Sequence, residues 1–297
     1  MKKENLEKSI MLIGPSCVGK SLIAERLSKQ LDMPVLSLDD LFAFIDMEQD
    51  RILSPNPKNQ ASYINACLEE IKNDPQMSET LENEEYRQTQ IKLVYDFIDL
   101  YNYYRHLVGP LSDYYKLNSE YYSTIKNVST INETTYALKD LSLKVLNKAL
   151  DKIDKPIIID PPAPFGWEAK KISFFENFRM NTFASNINPY ILDKKIADLS
   201  KKTRTILLEP GQDFKLRNAA PSNGNANLIE NIEGYFNNAD IVISTNDLFY
   251  EPNNAWLKQR SWIDAREAKT KARLKNNSEI NNICYQITNG LEELSME

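Results

Sequence analysis

Apolar residues recur along this chain with two different periods. Ile10-Met11-Leu12-Ile13 is a short, wholly apolar run, which predicts a strand buried on both faces. Residues 21–31 then carry Ile23, Leu27 and Leu31 four apart, the spacing of an amphipathic helix. Val35-Leu36-Ser37-Leu38 predicts a second buried strand, ending at Asp39-Asp40. Strand, turn from Gly14 to Gly19, helix and strand form a βαβ unit, whose parallel strands need the helical crossover. Three later runs have the same apolar character. Residues 156–159 end at Asp160, residues 205–208 end at Glu209-Pro210-Gly211, and residues 241–244 follow an Asn-Asn-Ala-Asp turn. Five candidate strands with helices between them predict an α/β chain in three α/β/α layers around a mostly parallel sheet.

Between these runs the pattern changes. Residues 52–60 hold two prolines and interrupt regularity. From about 61 to 153 the apolar positions follow a helical period and no strand is evident. Ten of the fifteen tyrosines fall between Tyr86 and Tyr136. Gly109-Pro110 predicts a helix-helix turn, and residues 141–153 a helix leading into the third strand. The organisation expected is a core of residues 1–56 and 154–297, with a helical insertion at 57–153. The tail from about 255 to 295 reads as a charged helix, and no internal repeat is evident.

Composition narrows the class. The chain has 297 residues, 42% hydrophobic and 26% charged, as ordinary soluble globular proteins have. Its net charge of −6 gives no general attraction to nucleic acid or to an anionic membrane surface. No run of about 18 apolar residues exists, so no membrane-spanning helix is expected. The N-terminus lacks a long apolar stretch and a cleavage-type sequence. Cys17, Cys67 and Cys284 lie far apart with no CxxC pairing, which argues against a disulfide framework or structural zinc. The expected location is the cytoplasm. The one histidine, His106, rules against a histidine metal centre and reads as a structural residue.

One motif carries chemistry. Gly14-Pro15-Ser16-Cys17-Val18-Gly19-Lys20-Ser21 fits G-x-x-x-x-G-K-[ST], after a strand and opening a helix. The glycines let the backbone curl so that successive N–H groups point at phosphate oxygens. The helix N-terminus adds its positive dipole end. In this motif Lys20 reaches the β- and γ-phosphates and Ser21 ligates Mg²⁺. Only eight glycines occur in the whole chain, and two stand here. Cys17, inside the loop, reads as an inert thiol.

These residues resemble the P-loop NTPase superfamily. GTPases of that superfamily carry D-x-x-G and N-K-x-D. Here Asp160 is followed by Pro161-Pro162-Ala163, and Thr245-Asn246-Asp247 does not fit the base reader. ATP-hydrolysing branches usually place Glu after the Walker B Asp, where this chain has proline. The absence of a base for water favours transfer to another acceptor. Leu36-Ser37-Leu38-Asp39-Asp40 is similar to the D-x-D strand end of shikimate, gluconate and adenylylsulfate kinases, with Asp39 at the second acid and Ser37 at the first. The expectation is that this strand lies beside the P-loop strand, at whose carboxyl end ligands gather.

That resemblance implies an ATP-dependent kinase acting, with Mg²⁺, on a small-molecule or nucleotide-like hydroxyl. Asp39 would orient the acceptor or take its proton. Asp40 reads as the cap or first residue of the next helix and, with Asp39, as a candidate for contacting the acceptor. Asp160 would hold Mg²⁺ through water, with Ser21. Arg217, in a lid between Gly211 and Asn227, would stabilise the transferring phosphoryl group, and Asn223-Gly224-Asn225 would let that lid close. Arg87 and Arg105 would clamp a phosphate or carboxylate of the acceptor, and Thr245 and Asn246 border the base. The tyrosine-rich stretch supplies either helix packing or an aromatic wall for the acceptor.

Two alternatives stay open. Ile13-Gly14-Pro15-Ser16-Cys17-Val18-Gly19-Lys20-Ser21 and Pro34-Val35-Leu36-Ser37-Leu38-Asp39-Asp40 also resemble the opening of tRNA dimethylallyltransferases and adenylate isopentenyltransferases. That likeness covers about residues 10–40 and implies prenyl transfer to an adenine amine, which keeps tRNA open as a partner. The other alternative is an ATP-binding regulatory module with the tyrosine-rich segment as its partner surface. Oligomeric state is not readable from the sequence.

Overall fold

Alternation within each apolar run decides which layer every side chain joins. The computed structural model describes residues 7–15, 18–49, 69, 81–125, 131–161, 199, 202–209, 239–245, 248 and 277–296. In chain order these form β1 (Ser9–Ile13), α1 (Lys20–Leu31), β2 (Val35–Ser37), α2 (Leu38–Gln49), α3 (Leu81–Val108), α4 (Ser112–Ile125), α5 (Ile131–Leu150), β3 (Ile158–Asp160), β4 (Thr203–Glu209), β5 (Ile241–Ser244) and α6 (Asn277–Met296). The strands make one parallel sheet in the order β2-β3-β1-β4-β5.

This order corrects one expectation. β2 does not lie beside the P-loop strand; β3 separates them. Ile10 pairs with Ile158 on one side and with Arg204 on the other. Ser37 pairs with Asp160. The chain reaches the sheet's outer edge first and fills the gap about 120 residues later, so local sequence cannot announce the neighbour.

Ile10 and Leu12 of β1, Ile158 of β3, and Ile206 and Leu208 of β4 point to one face. There they meet Ile23, Ala24 and Leu27 of α1 and Ile280, Ile283, Cys284 and Ile287 of α6. Met11, Ile13, Leu36, Ile159 and Leu207 point to the other face, against Phe44 of α2, Tyr101, Tyr104 and Val108 of α3, Tyr114 of α4 and Leu146 of α5. In its described part, the helical segment after α2 therefore packs as the layer covering that face. All these side chains are essentially inaccessible to water. Burial of this kind contributes about 25 cal/mol per Å² of apolar surface.

The helix ends follow local chemistry. Asp32 ends α1 in the left-handed region (φ 49°), its N–H bonded to the Ser28 carbonyl. Asp tolerates that conformation better than most residues. Gly109, at φ 88°, turns the chain from α3 into α4, as the Gly-Pro pair predicts. The Tyr114 hydroxyl donates to the Val108 carbonyl at 2.9 Å and ties the two helices across that turn. The helical tail is described from Asn277 onward; residues 249–276 lie outside the described residues.

Candidate active site

The P-loop is shaped by two glycines and one lysine. Gly14 has φ 144° and Gly19 has φ 98°, both disfavoured for a residue with a Cβ. A Cβ on Gly14 would lie 2.7 Å from the Leu208 carbonyl oxygen, so the loop runs hard against β4. Gly19 sits at the N-cap of α1 with no capping side chain, which leaves the first-turn N–H groups of the helix to meet an anion. Lys20 is buried, and its Nζ donates to the carbonyls of Gly14 and Pro15, each at 3.0 Å. The ammonium is thus held inside the curl of the loop. Val18 packs in the core, while Ser16 and Cys17 lie outside the described residues.

Beside the loop lies a cavity of about 470 Å³, within the size range of small-molecule sites. Ser21 of α1, Asp160 of β3, Ser37 of β2, Asp40 of α2 and Tyr104 of α3 all line it. Their convergence has a local cause. Ser37 is the N-cap of α2, its Oγ accepting the N–H of Asp40 at 3.3 Å. That is the S-x-x-[DE] spacing of a capping box. The box starts the helix at Leu38, so the expected strand is one residue shorter. Once the chain is helical, successive side chains turn by about 100° instead of alternating. Asp39 is thereby carried to the exposed side and Asp40 to the cavity, where it is 9% exposed.

This is a correction to the expected placement: Asp39 stands in the first turn of α2, not at a strand end, and does not line the cavity. Asp160 is buried at 1% exposure and neighbours Ser37 through the sheet register. Tyr104 is the buried link. Its hydroxyl accepts the N–H of Ser37 at 3.3 Å, and its pKa is raised well above the ordinary tyrosine value. Burial is the main cause; the negative charges of Asp40 and then Asp160 add to it. Tyr104 therefore stays a neutral hydroxyl between two carboxylates.

Other expected residues do not join this group. Arg105 follows Tyr104 on α3 but does not line the cavity. Arg87 belongs to α3, and its side chain lies outside the described residues, as do Arg217, Asn246 and the whole 210–238 segment. Thr245 is buried, and both its N–H (2.8 Å) and its hydroxyl (3.1 Å) donate to the Glu209 carbonyl, which fixes the end of β5 to β4. His106 is exposed. Ser37 enters the sequence reading as the residue at the first-acid position, and Tyr104 as part of the tyrosine-rich stretch. The Ser37 cap was legible from its capping-box spacing to Asp40, whereas the contact of Tyr104 with Ser37 had no local signal, because the two lie 67 residues apart.

Ser21 and Asp160, both lining the cavity, offer oxygen ligands to it. Mg²⁺ bound by one or two protein oxygens, with phosphate and water completing its shell, suits such a pair. Among the described residues no group of three or more His, Cys, Asp or Glu gathers into a metal cage. No helix among them is long and apolar enough to cross a membrane.

The comparisons with known proteins agree with this geometry. The family model described as an AAA domain matches residues 10–93, from β1 through the P-loop, β2 and α2 into α3. No curated protein and no solved structure matches the chain. Loop geometry and the parallel five-stranded sheet are those of a three-layer α/β P-loop fold, and residues 10–93 are similar to the AAA-domain family.

Proposed function

We propose that the protein is an ATP-dependent phosphotransferase whose acceptor is a small-molecule or nucleotide-like hydroxyl compound. The observation that carries this reading is the meeting of Ser21, Asp160 and Asp40 around one cavity beside a seated P-loop lysine. The loop N–H groups and Lys20 would hold the β- and γ-phosphates, and Ser21 and Asp160 would hold Mg²⁺, which would neutralise charge on the phosphoryl oxygens.

Asp40, rather than Asp39, faces the acceptor. The bond from the γ-phosphorus to the ADP oxygen breaks, a bond to the acceptor oxygen forms, and the acceptor's proton passes to an Asp40 oxygen. Tyr104 and Ser37 keep the first turn of α2 in place for that step. Arg217 remains the candidate for stabilising charge on the phosphoryl group. Pro161 follows Asp160 where hydrolytic relatives carry a carboxylate, which supports transfer over hydrolysis.

The test is mass spectrometry of a small-metabolite extract after incubation with protein and Mg·ATP, with Lys20→Ala as control. A phosphorylated species made only by the wild type supports the proposal. Tight ATP binding with no modified product points instead to a regulatory module. Prenylated adenine, formed when dimethylallyl diphosphate replaces ATP, overturns it in favour of prenyl transfer.

A further inference from the structure

The residues that serve transfer make up only part of the cavity lining. Leu100, Tyr103 and Tyr104, at positions i, i+3 and i+4 of α3, present one helix face to it. Met33, Pro34 and Val35, the stretch that enters β2, line it as well. Every polar main-chain group of that stretch is already committed within the protein. The Met33 N–H donates to the Ser28 carbonyl at 3.1 Å, and the Met33 carbonyl accepts the Ser28 hydroxyl at 2.6 Å. Pro34 has no N–H, and its carbonyl accepts the Ile158 N–H at 2.9 Å. The Tyr103 hydroxyl accepts the Val35 N–H at 3.1 Å and donates to the Val35 carbonyl at 3.5 Å. The Tyr104 hydroxyl accepts from Ser37. This part of the wall therefore offers a ligand mainly carbon surface.

A polyol set against such a surface gives up hydrogen bonds to water and gains none in return. An apolar ring gains from the same burial. The Tyr103 ring is held in place by its hydroxyl, with its centroid 5.7 Å from that of Tyr104 and the two planes 58° apart; a further ring packs well against such a pair. Glu25 and Lys29 also line the cavity, but they pair with each other at 3.5 Å in largely exposed positions and give little preference for an ionic acceptor. We propose that the acceptor is an uncharged alcohol carrying an apolar ring, such as an aryl alcohol. Its hydroxyl meets Asp40, and its ring lies against Leu100, Tyr103 and the 33–35 stretch. The cavity, at about 470 Å³, has room for a ring and a short hydroxyl-bearing arm. The inference rests on the phosphotransferase reading and specifies its substrate class.

Two uncharged alcohols of similar size test it, phenylethanol and glucose. Their dissociation constants are measured by ligand-observed NMR, and phosphate ester is followed by phosphorus NMR with Mg·ATP. The same is done for Tyr103→Ala and Leu100→Ala, with thermal unfolding to verify that each is folded. Tyr103 is 36% exposed and Leu100 only partly buried, so neither truncation opens the core. Phenylethanol is expected to bind at least about tenfold tighter than glucose. Each variant is expected to weaken phenylethanol by about three- to tenfold, with glucose little changed. Glucose binding as tightly as phenylethanol, no phenylethanol binding, or phenylethanol binding insensitive to both truncations would each overturn the inference. Phenylethanol bound in the expected order with no phosphate ester formed sinks the transferase reading while the apolar preference of the cavity stands. Glucose phosphorylated in preference to phenylethanol does the converse.

Discussion

The Tyr104 hydroxyl accepts the backbone N–H of Ser37 at 3.3 Å, beside Tyr103, whose hydroxyl accepts the N–H of Val35 at 3.1 Å. β2 is the outermost strand, so these two amides point away from the sheet. Adjacent tyrosines on α3 thus cover an edge that would otherwise present unpaired donors. Phe44 of α2 packs against Tyr104, its ring 5.4 Å from that of the tyrosine.

Tyr104→Phe leaves the Ser37 N–H buried without this acceptor and is expected to cost about 1–3 kcal/mol. Tyr103→Phe exposes a more accessible amide and should cost about 0.5–1 kcal/mol. Urea unfolding of both variants measures the difference. Equal losses would show that the two hydroxyls do the same job.

The one-residue shift at the start of α2 separates two adjacent acids. Asp40→Asn is expected to lower kcat by a factor of about 10²–10⁴, the usual range for loss of a general base, with nucleotide affinity kept. Asp39→Asn, on the exposed side, should leave kcat within about twofold. Steady-state kinetics on both settles which acid serves; loss of turnover in Asp39→Asn alone would reverse the assignment.

The two loop glycines should respond unequally to alanine. At Gly14 the new methyl meets a backbone oxygen that cannot yield, at a φ of 144°. The expected loss is about 2–3 kcal/mol. At Gly19 it meets the Leu248 Cδ1 at 2.9 Å, the end of a movable side chain, and about 1–2 kcal/mol is expected. Thermal unfolding without nucleotide checks the order.

Alkaline pH should loosen the fold through its buried acids, Tyr114 and Cys284 as well as Tyr104. Burial, aided by the Asp113 charge, pushes the Tyr114 hydroxyl up to about 12 from an ordinary 10.0. Burial pushes the Cys284 thiol up to about 12 from 9.0, with Arg26 pulling slightly the other way. In both cases the folded state prefers the protonated form. Their contributions are complete below pH 9 for the thiol and pH 10 for the phenol, and decline as pH rises toward 12. Urea midpoints should therefore fall between pH 9 and 11, and Cys284→Ala should flatten the early part of that fall. Parallel curves for variant and wild type would contradict it.

The strands were legible because a buried parallel strand needs an unbroken apolar run. The run at 10–13 marks β1, while 241–244 coincides with β5 although that edge strand buries only Ile243 fully. The P-loop was legible because phosphate binding by backbone requires glycine at fixed places. Strand order was not, since β2 and β3 are joined through pairings far apart in the chain. Asp39 was favoured over Asp40 because a strand was assumed to continue through Leu38. The Ser37 cap, three residues before Asp40, held the information that the helix had already begun.

The turn at Gly14, closed against the carbonyl of Leu208, also bears on how the protein is made. The loop leaves the ribosome nearly two hundred residues ahead of the strand it leans on. At translation rates of about 5–20 residues per second, that is a delay of roughly 10–40 s. Until β3 emerges, about three quarters of the way through it, β1 has no neighbour to pair with, and its apolar faces stay available to chaperones. A nascent chain cannot use ATP as an early template, because the cradle and the sheet's centre are completed by the same late segment.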